Sequence, residues 1–218
     1  MKAEFWHQRW ENNLTGFHLN EVNPHLKAHW PALQAKAGAR VFVPLAGKTR
    51  DLLWLAEQGF EVVAIELSPL AVEQFFSENN LSAEKQQIHG MSCTRSGNIS
   101  LFCGDFFDLT TDILGQVDAV YDRASLIALP PEMRQRYAQK LTELAHNAPK
   151  LLITLEYEQA KMDGPPFSVT EKEVQSLYQD KYRVTQRMAQ DVLDESPRFR
   201  EKGLDYMKEC VYQLTALD

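Results

Sequence analysis

Val41-Phe42-Val43-Pro44-Leu45-Ala46-Gly47-Lys48-Thr49 and, further along, Val62-Val63-Ala64-Ile65-Glu66 are the stretches whose reading decides the fold. Each is an apolar run of strand length. The first runs into a turn that opens a helical pattern near 48–58, stopped by Gly59, and the second closes on a carboxylate. Strand, turn, helix, strand and acid, in that order, is how a doubly wound sheet grips an adenosine ribose, because an acid at the end of the second strand can accept from the sugar hydroxyls.

The turn discriminates among nucleotide-like ligands. A phosphate loop ending in Gly47-Lys48-Thr49 requires glycine at position 42, where Phe42 stands, so the Gly-Lys-Thr triplet is a decoy. A dinucleotide needs several glycines for close approach to a pyrophosphate, and this turn has one. S-adenosylmethionine carries ribose and adenine but no phosphate. It needs one close approach of the turn and one acidic ribose partner, and both are present.

Outward from this core, residues 1–36 read as two helical stretches around the polar turn Asn12–Gly16, with Asn23-Pro24 as N-cap and first turn of the second. Ser68-Pro69 caps a helix over 69–78. The polar stretch 82–98 looks like an irregular connection with room for a short strand pair. Strands follow at 99–103, 117–122 and 151–155, with a helix from Pro130 to about 146 between the last two. Thr170-x-x-Glu173 is a capping box opening a further helix, and the runs 182–193 and 206–217 are placed as a hairpin on the sheet edge. The fold expected is α/β: a Rossmann-like, doubly wound, mostly parallel sheet with a C-terminal antiparallel hairpin and an N-terminal helical cover.

With 218 residues, 44% hydrophobic and 24% charged, one domain over 1–218 with a full core is expected. The net charge of −7, without a basic cluster, argues against nucleic acid as a partner. No leader pattern and no membrane-spanning apolar run is visible, so a cytoplasmic protein off the membrane is expected. Cys93, Cys103 and Cys210 have neither disulfide-framework nor zinc spacing. His25 and His29 lie one helical turn apart but lack a third ligand, so they read as a solvated helix face and no metal is expected. In the absence of heptads or a long apolar edge, a monomer is expected.

Six segments in order resemble the thiopurine S-methyltransferase family over nearly the whole chain. They are Trp10-Glu11 with Thr15-Gly16-Phe17-His18, Val41 to Lys48, Val63 to Ser68, Gly97 to Leu101, Tyr121-Asp122-Arg123-Ala124 and Gly164-Pro165-Pro166-Phe167. The resemblance implies that Trp10 covers the methionine end of the cofactor, Leu45 and Gly47 form its turn, Glu66 binds the ribose, Asp105 and Phe106 flank the adenine, and Arg123 lies beside the sulfonium. It also implies that Phe17 lines the acceptor pocket and that Arg198, five residues before Gly203, reaches the acceptor. A carboxylate of Asp105 taking the adenine amino group is a reading of this chain's own residue.

The chemistry implied is in-line transfer of methyl from S-adenosylmethionine to the sulfur of a small aromatic or heteroaromatic thiol such as a thiopurine, leaving S-adenosylhomocysteine. Most of the rate in such a displacement comes from positioning. A guanidinium is a poor base, so Arg123 and Arg198 are assigned to stabilising the thiolate. Competing readings are Asp122-Arg123 as a surface ion pair and Arg198 as part of a solvated charged loop, while Gly164–Phe167 resembles the Asn/Asp-Pro-Pro-aromatic loop of amino-group methyltransferases acting on DNA but, with glycine in place of the side-chain acceptor and after the fifth strand, reads better as a rigid turn walling the pocket. For the whole chain, the alternatives are methylation of selenium or tellurium compounds, a nicotinamide-dependent oxidoreductase, and a binding protein without turnover.

Overall fold

The computed structural model describes residues 3–217; residues 1, 2 and 218, the start of the predicted cover and the end of the predicted domain, lie outside them. Nine strands form one sheet: β1 (Arg40–Val43), β2 (Glu61–Glu66), β3 (Glu84–Ile88), β4 (Met91–Ser96), β5 (Ile99–Cys103), β6 (Ala119–Arg123), β7 (Lys150–Glu156), β8 (Tyr182–Asp191) and β9 (Lys208–Ala216). Their spatial order is β3-β4-β5-β2-β1-β6-β7-β9-β8. The central run β5-β2-β1-β6-β7 is parallel, and β4 and β9 join its edges antiparallel.

The C-terminal hairpin β8–β9 sits where the sequence places it, with a bulge between Gln186 and Met188. At the opposite edge the short strand pair that 82–98 has room for is a regular second hairpin over 84–96. Its outer strand, Glu-Lys-Gln-Gln-Ile, is solvent-facing along most of its length. Such a polar edge strand carries no apolar alternation to announce it, and its polar side chains suit it to an unpaired edge.

The helices are α1 (Ala3–Glu11), α2 (Pro24–His29), α3 (Asp51–Glu57), α4 (Pro69–Glu78), α5 (Thr111–Leu114), α6 (Ser125–Ala128), α7 (Pro131–Ala145), α8 (Glu171–Tyr178) and α9 (Pro197–Arg200). Alternation along the strands sends Val41, Val43, Val62, Ala64, Tyr121 and Ile153 to one face, with α3, α4 and Trp30. Phe42, Val63, Ile65, Val120 and Leu152 go to the other, with α7 and α8. Caps fix the entries as read: the Asn23 side chain accepts from His25 N and Leu26 N, and Ser68 Oγ accepts from Ala71 N at 3.3 Å.

Two boundaries moved. Helix α3 starts at Asp51 rather than near 48, because Leu45 and Gly47 both have positive φ (46° and 56°) and extend the turn. Strand β6 starts at Ala119, because Asp118 is used as a brace: its Oδ2 accepts from Arg40 N at 2.8 Å. A smaller apolar cluster of Tyr157, Met162, Val192, Leu193, Phe199, Leu204 and Met207 seats the loop between β8 and β9 beside the end of β7. No helix among the described residues is long and apolar enough to cross a membrane.

Candidate active site

Strand order reverses at β1, whose neighbours are β2 and β6, so the crevice outside its carboxyl end is the topological switch point of the sheet. A cavity of about 630 Å³ opens there. Trp10, Phe17, Leu45, Gly47, Glu66, Asp105, Phe106, Arg123 and Arg198 all border it. Residues spread from the first helix to the last loop therefore meet in one place.

The floor is the turn 44–48, laced to the end of β2. Ala46 N donates to Ile65 O at 2.9 Å, and Gly47 N to Glu66 Oε2 at 2.8 Å. Ser68 N donates to Glu66 Oε1 at 2.8 Å. Glu66 is 7% exposed, so burial lifts its pKa, and the amides of Ser68, Gly47 and Leu67 oppose that lift. Leu45 holds a left-handed conformation without being glycine, a local strain of order ~1 kcal/mol that the lacing maintains. Gly47 is favoured twice over, by its positive φ and because a Cβ there would stand 3.1 Å from the ring of Trp10, which would have to shift.

The roof is the N-terminal segment. Trp10 is 3% exposed and lies over Gly47, and its ring meets Phe17 edge-on at 5.5 Å, with Trp6 on the other side of Phe17 at 5.8 Å. Both arginines hold this roof by its main chain. Arg123 Nη2 donates to Phe17 O at 3.4 Å and Arg198 Nη2 to Gly16 O at 2.8 Å. A side chain on Gly16 would collide with that guanidinium, since its Cβ would sit 2.4 Å from Arg198 Nη1. Arg198 is thus neither a freely solvated charge nor solely a ligand contact; it fastens the roof to the loop after β8.

The adenine side is less simple than its reading. Asp105 Oδ1 accepts from Phe107 N at 2.8 Å and caps the 3₁₀ turn Phe106–Asp108. Phe106 borders the cavity, but its ring is buried against Tyr137 (4.8 Å) and Phe42 (6.4 Å), while Phe107 is half-buried on the same wall. Pro165 and Pro166 wall the cavity as read, and a Cβ on Gly164 would collide with the Phe167 ring at 2.5 Å.

Two bland readings are corrected. Asp122 and Arg123 are not a surface ion pair: they point to opposite faces of β6, and Asp122, 1% exposed, accepts from Tyr137 OH at 2.9 Å. Burial pushes the Asp122 carboxyl up to about 6. His25 is not on a solvated face, because its Nε2 lies 3.0 Å from Glu209 Oε2 of β9. Lys48, the decoy lysine, pairs with Glu78 of α4 at 2.7 Å. The three cysteines are free thiols, and no group of metal-ligating side chains occurs among the described residues.

Sequence reasoning did not find Asp51, Tyr121, Thr154 and Glu209, which also line the cavity. Asp51 falls inside the helix expected over 48–58, and Tyr121 inside a strand and a family-like segment, and nothing local marks a residue that a distant turn will cover. The residues present suit an adenosyl sulfonium ligand: one close approach at Gly47, a carboxylate at the end of β2, an aromatic roof, and a cavity of the size small-molecule sites have.

The arrangement has relatives. A solved S-adenosylmethionine-dependent methyltransferase from Thiobacillus denitrificans in complex with S-adenosylhomocysteine superposes with TM-score 0.65 at 16% identity, covering 100% of this chain and 99% of that one. A 1,6-didemethyltoxoflavin-N1-methyltransferase of Burkholderia thailandensis gives 0.63 at 16% identity, covering 98% and 87%. At such identity the likeness establishes the class I methyltransferase fold. By sequence, the thiopurine S-methyltransferase of Methylococcus capsulatus is 48% identical over 99% of this chain and 98% of its own length, and that of Pseudomonas aeruginosa strain UCBPP-PA14 is 48% identical over 98% and 99%. The thiopurine S-methyltransferase family model matches residues 1–217, and the chain belongs to that family.

Proposed function

We propose that this chain is an S-adenosylmethionine-dependent S-methyltransferase acting on small aromatic or heteroaromatic thiols of the thiopurine class. The observation that carries the reading is Glu66, buried at the switch point with one oxygen accepting from Gly47 N in the turn after β1 and the other from Ser68 N, in a cavity that Trp10, Arg123 and Arg198 also border. Glu66 would hold the ribose hydroxyls through its remaining lone pairs; Leu45, Gly47 and Trp10 would enclose the methionine end; Asp105 and Phe106, through the turn they start, would border the adenine.

The bound cofactor supplies an electrophilic methyl on a sulfonium, which an acceptor sulfur takes as the carbon–sulfonium bond breaks. Phe17 then sets the plane against which a flat acceptor lies. Arg123 and Arg198 each spend an N–H on the roof and retain others of the guanidinium fork for an anionic sulfur. They favour the thiolate and fix its approach; the thiol proton goes to solvent.

The same reading makes residues 1–218 one cytoplasmic domain acting as a monomer on a small molecule. It is supported by a single sheet running from 40 to 216, by three cysteines without the spacing of a disulfide framework and by a net charge of −7 that suits no polyanion. The test is product formation: purified protein given S-adenosylmethionine should convert a thiopurine to its thioether. Methylation of selenite or tellurite products with no thioether from the thiopurine would move the acceptor to the chalcogen compounds.

A pH dependence follows from the roof. Burial holds the half-buried His18 below its usual 6.5, and Lys48 and Arg123 add to this while Glu78 and Asp51 oppose it. The opened segment binds the proton more readily than the closed one, so stability of the closed roof is present above the ordinary histidine value and declines as pH falls below it. S-adenosylhomocysteine binding should weaken a few-fold between about pH 7 and about pH 5.5 in the wild type and stay flat in His18→Gln. Identical pH profiles for the two would exclude His18 as the cause.

A further inference from the structure

Asp51 is a buried acid that the mechanism has not used. It is the first residue of α3, 1% exposed, and it borders the cavity. Its Oδ1 accepts from Asn23 N at 2.8 Å and its Oδ2 from Tyr121 OH at 2.9 Å. Both partners are neutral, and no cationic side chain is paired with it among the described residues. The two bonds need only an acceptor oxygen, so they do not account for a charge.

An ionised carboxylate out of water and unpaired is costly, and the cost is recovered when a cation arrives. The other acids near this end of the cavity are provided for: Glu209 has His25 at 3.0 Å, and Glu66 has its amides.

Resting on the methyltransferase reading of this cavity, we infer that Asp51 receives the α-ammonium of the cofactor's methionine arm. A charge-assisted hydrogen bond of this kind is roughly twice as strong as a neutral one, and the low-dielectric surroundings strengthen it. Because the same carboxylate holds Asn23 N at the start of α2, occupancy of the ammonium site also braces the roof segment.

The test uses two ligands in calorimetry: S-adenosylhomocysteine, and its desamino analogue, which keeps the carboxylate and lacks only the ammonium. Wild type should prefer the first by at least about tenfold, Asp51→Asn should lose most of that preference, and Tyr121→Phe, which disturbs the same network but keeps the charge, should retain it. Equal affinity of wild type for both ligands overturns the proposal even if Asp51→Asn does not fold. So does an Asp51→Asn variant that weakens both ligands alike. Glu66→Ala separates this from failure of the site itself: it should weaken both ligands equally, and if it alters neither, the cofactor is not in this cavity.

Discussion

Glu66→Ala is expected to weaken S-adenosylhomocysteine binding by roughly ten- to a hundredfold and to reduce methyl transfer at subsaturating cofactor by a similar factor, since a hydrogen bond to a charged group contributes ~1.5–3 kcal/mol. Two losses combine. The ribose loses its acceptor, and the amides of Gly47 and Ser68, each 2.8 Å from a Glu66 oxygen, lose theirs inside the protein. The second loss acts through the turn: Leu45 and Gly47 hold positive φ because Gly47 N and Ala46 N are tied to the end of β2. Untied, the turn no longer presents one surface to the cofactor and another to Trp10. Glu66→Gln is a sharper version, because one amide position must place an N–H against a backbone N–H and repel it. Titration calorimetry on both variants checks this. Unchanged affinity in both would mean that Glu66 only staples the turn and that the cofactor lies outside this cavity.

How much of this was legible without a structure depends on how local each signal was. The switch-point strands, the caps at Asn23 and Ser68 and the C-terminal hairpin were legible because period, cap chemistry and turn residues lie within a few positions of each other. The cofactor turn was legible by elimination, since a single glycine excludes phosphate-binding loops. The 84–96 hairpin was only half visible, because an edge strand with solvent on most of its length shows no alternation. Roles that depend on contacts between remote segments could be named only through resemblance: Arg198 touches Gly16 across 182 positions, and Glu209 touches His25 across 184. Asp51 was invisible for the same reason, because nothing next to it in sequence says that it is buried.

The capping box Thr170-x-x-Glu173 shows a local motif read correctly and used for something else, and it leads to the largest expected change in stability. Thr170 Oγ1 accepts from Glu173 N at 3.2 Å as the motif requires. The Glu173 carboxylate, however, turns to α7, where Arg134 Nη1 donates to both its oxygens at 2.6 and 2.7 Å while Arg134 Nε donates to Leu129 O at 2.9 Å. Arg134 is 1% exposed, so Glu173→Ala leaves a guanidinium inside the protein without its counter-charge. Removing one partner of a buried pair costs about 3–5 kcal/mol, and because Glu173 is itself 27% exposed on its side chain a discounted cost of about 2–3 kcal/mol is expected. For a chain of this length, that lowers Tm by roughly 5–10 °C. The loss should reach the site too, because Arg134 fixes Leu129 on the cavity wall and lies 5.8 Å from the ring of Phe167. Glu173→Ala combined with Arg134→Met removes the stranded charge and should recover part of the loss in calorimetric unfolding. A double variant less stable than Glu173→Ala by the full effect of Arg134→Met alone would show that the pair contributes nothing as a pair and that Arg134 acts through its packing.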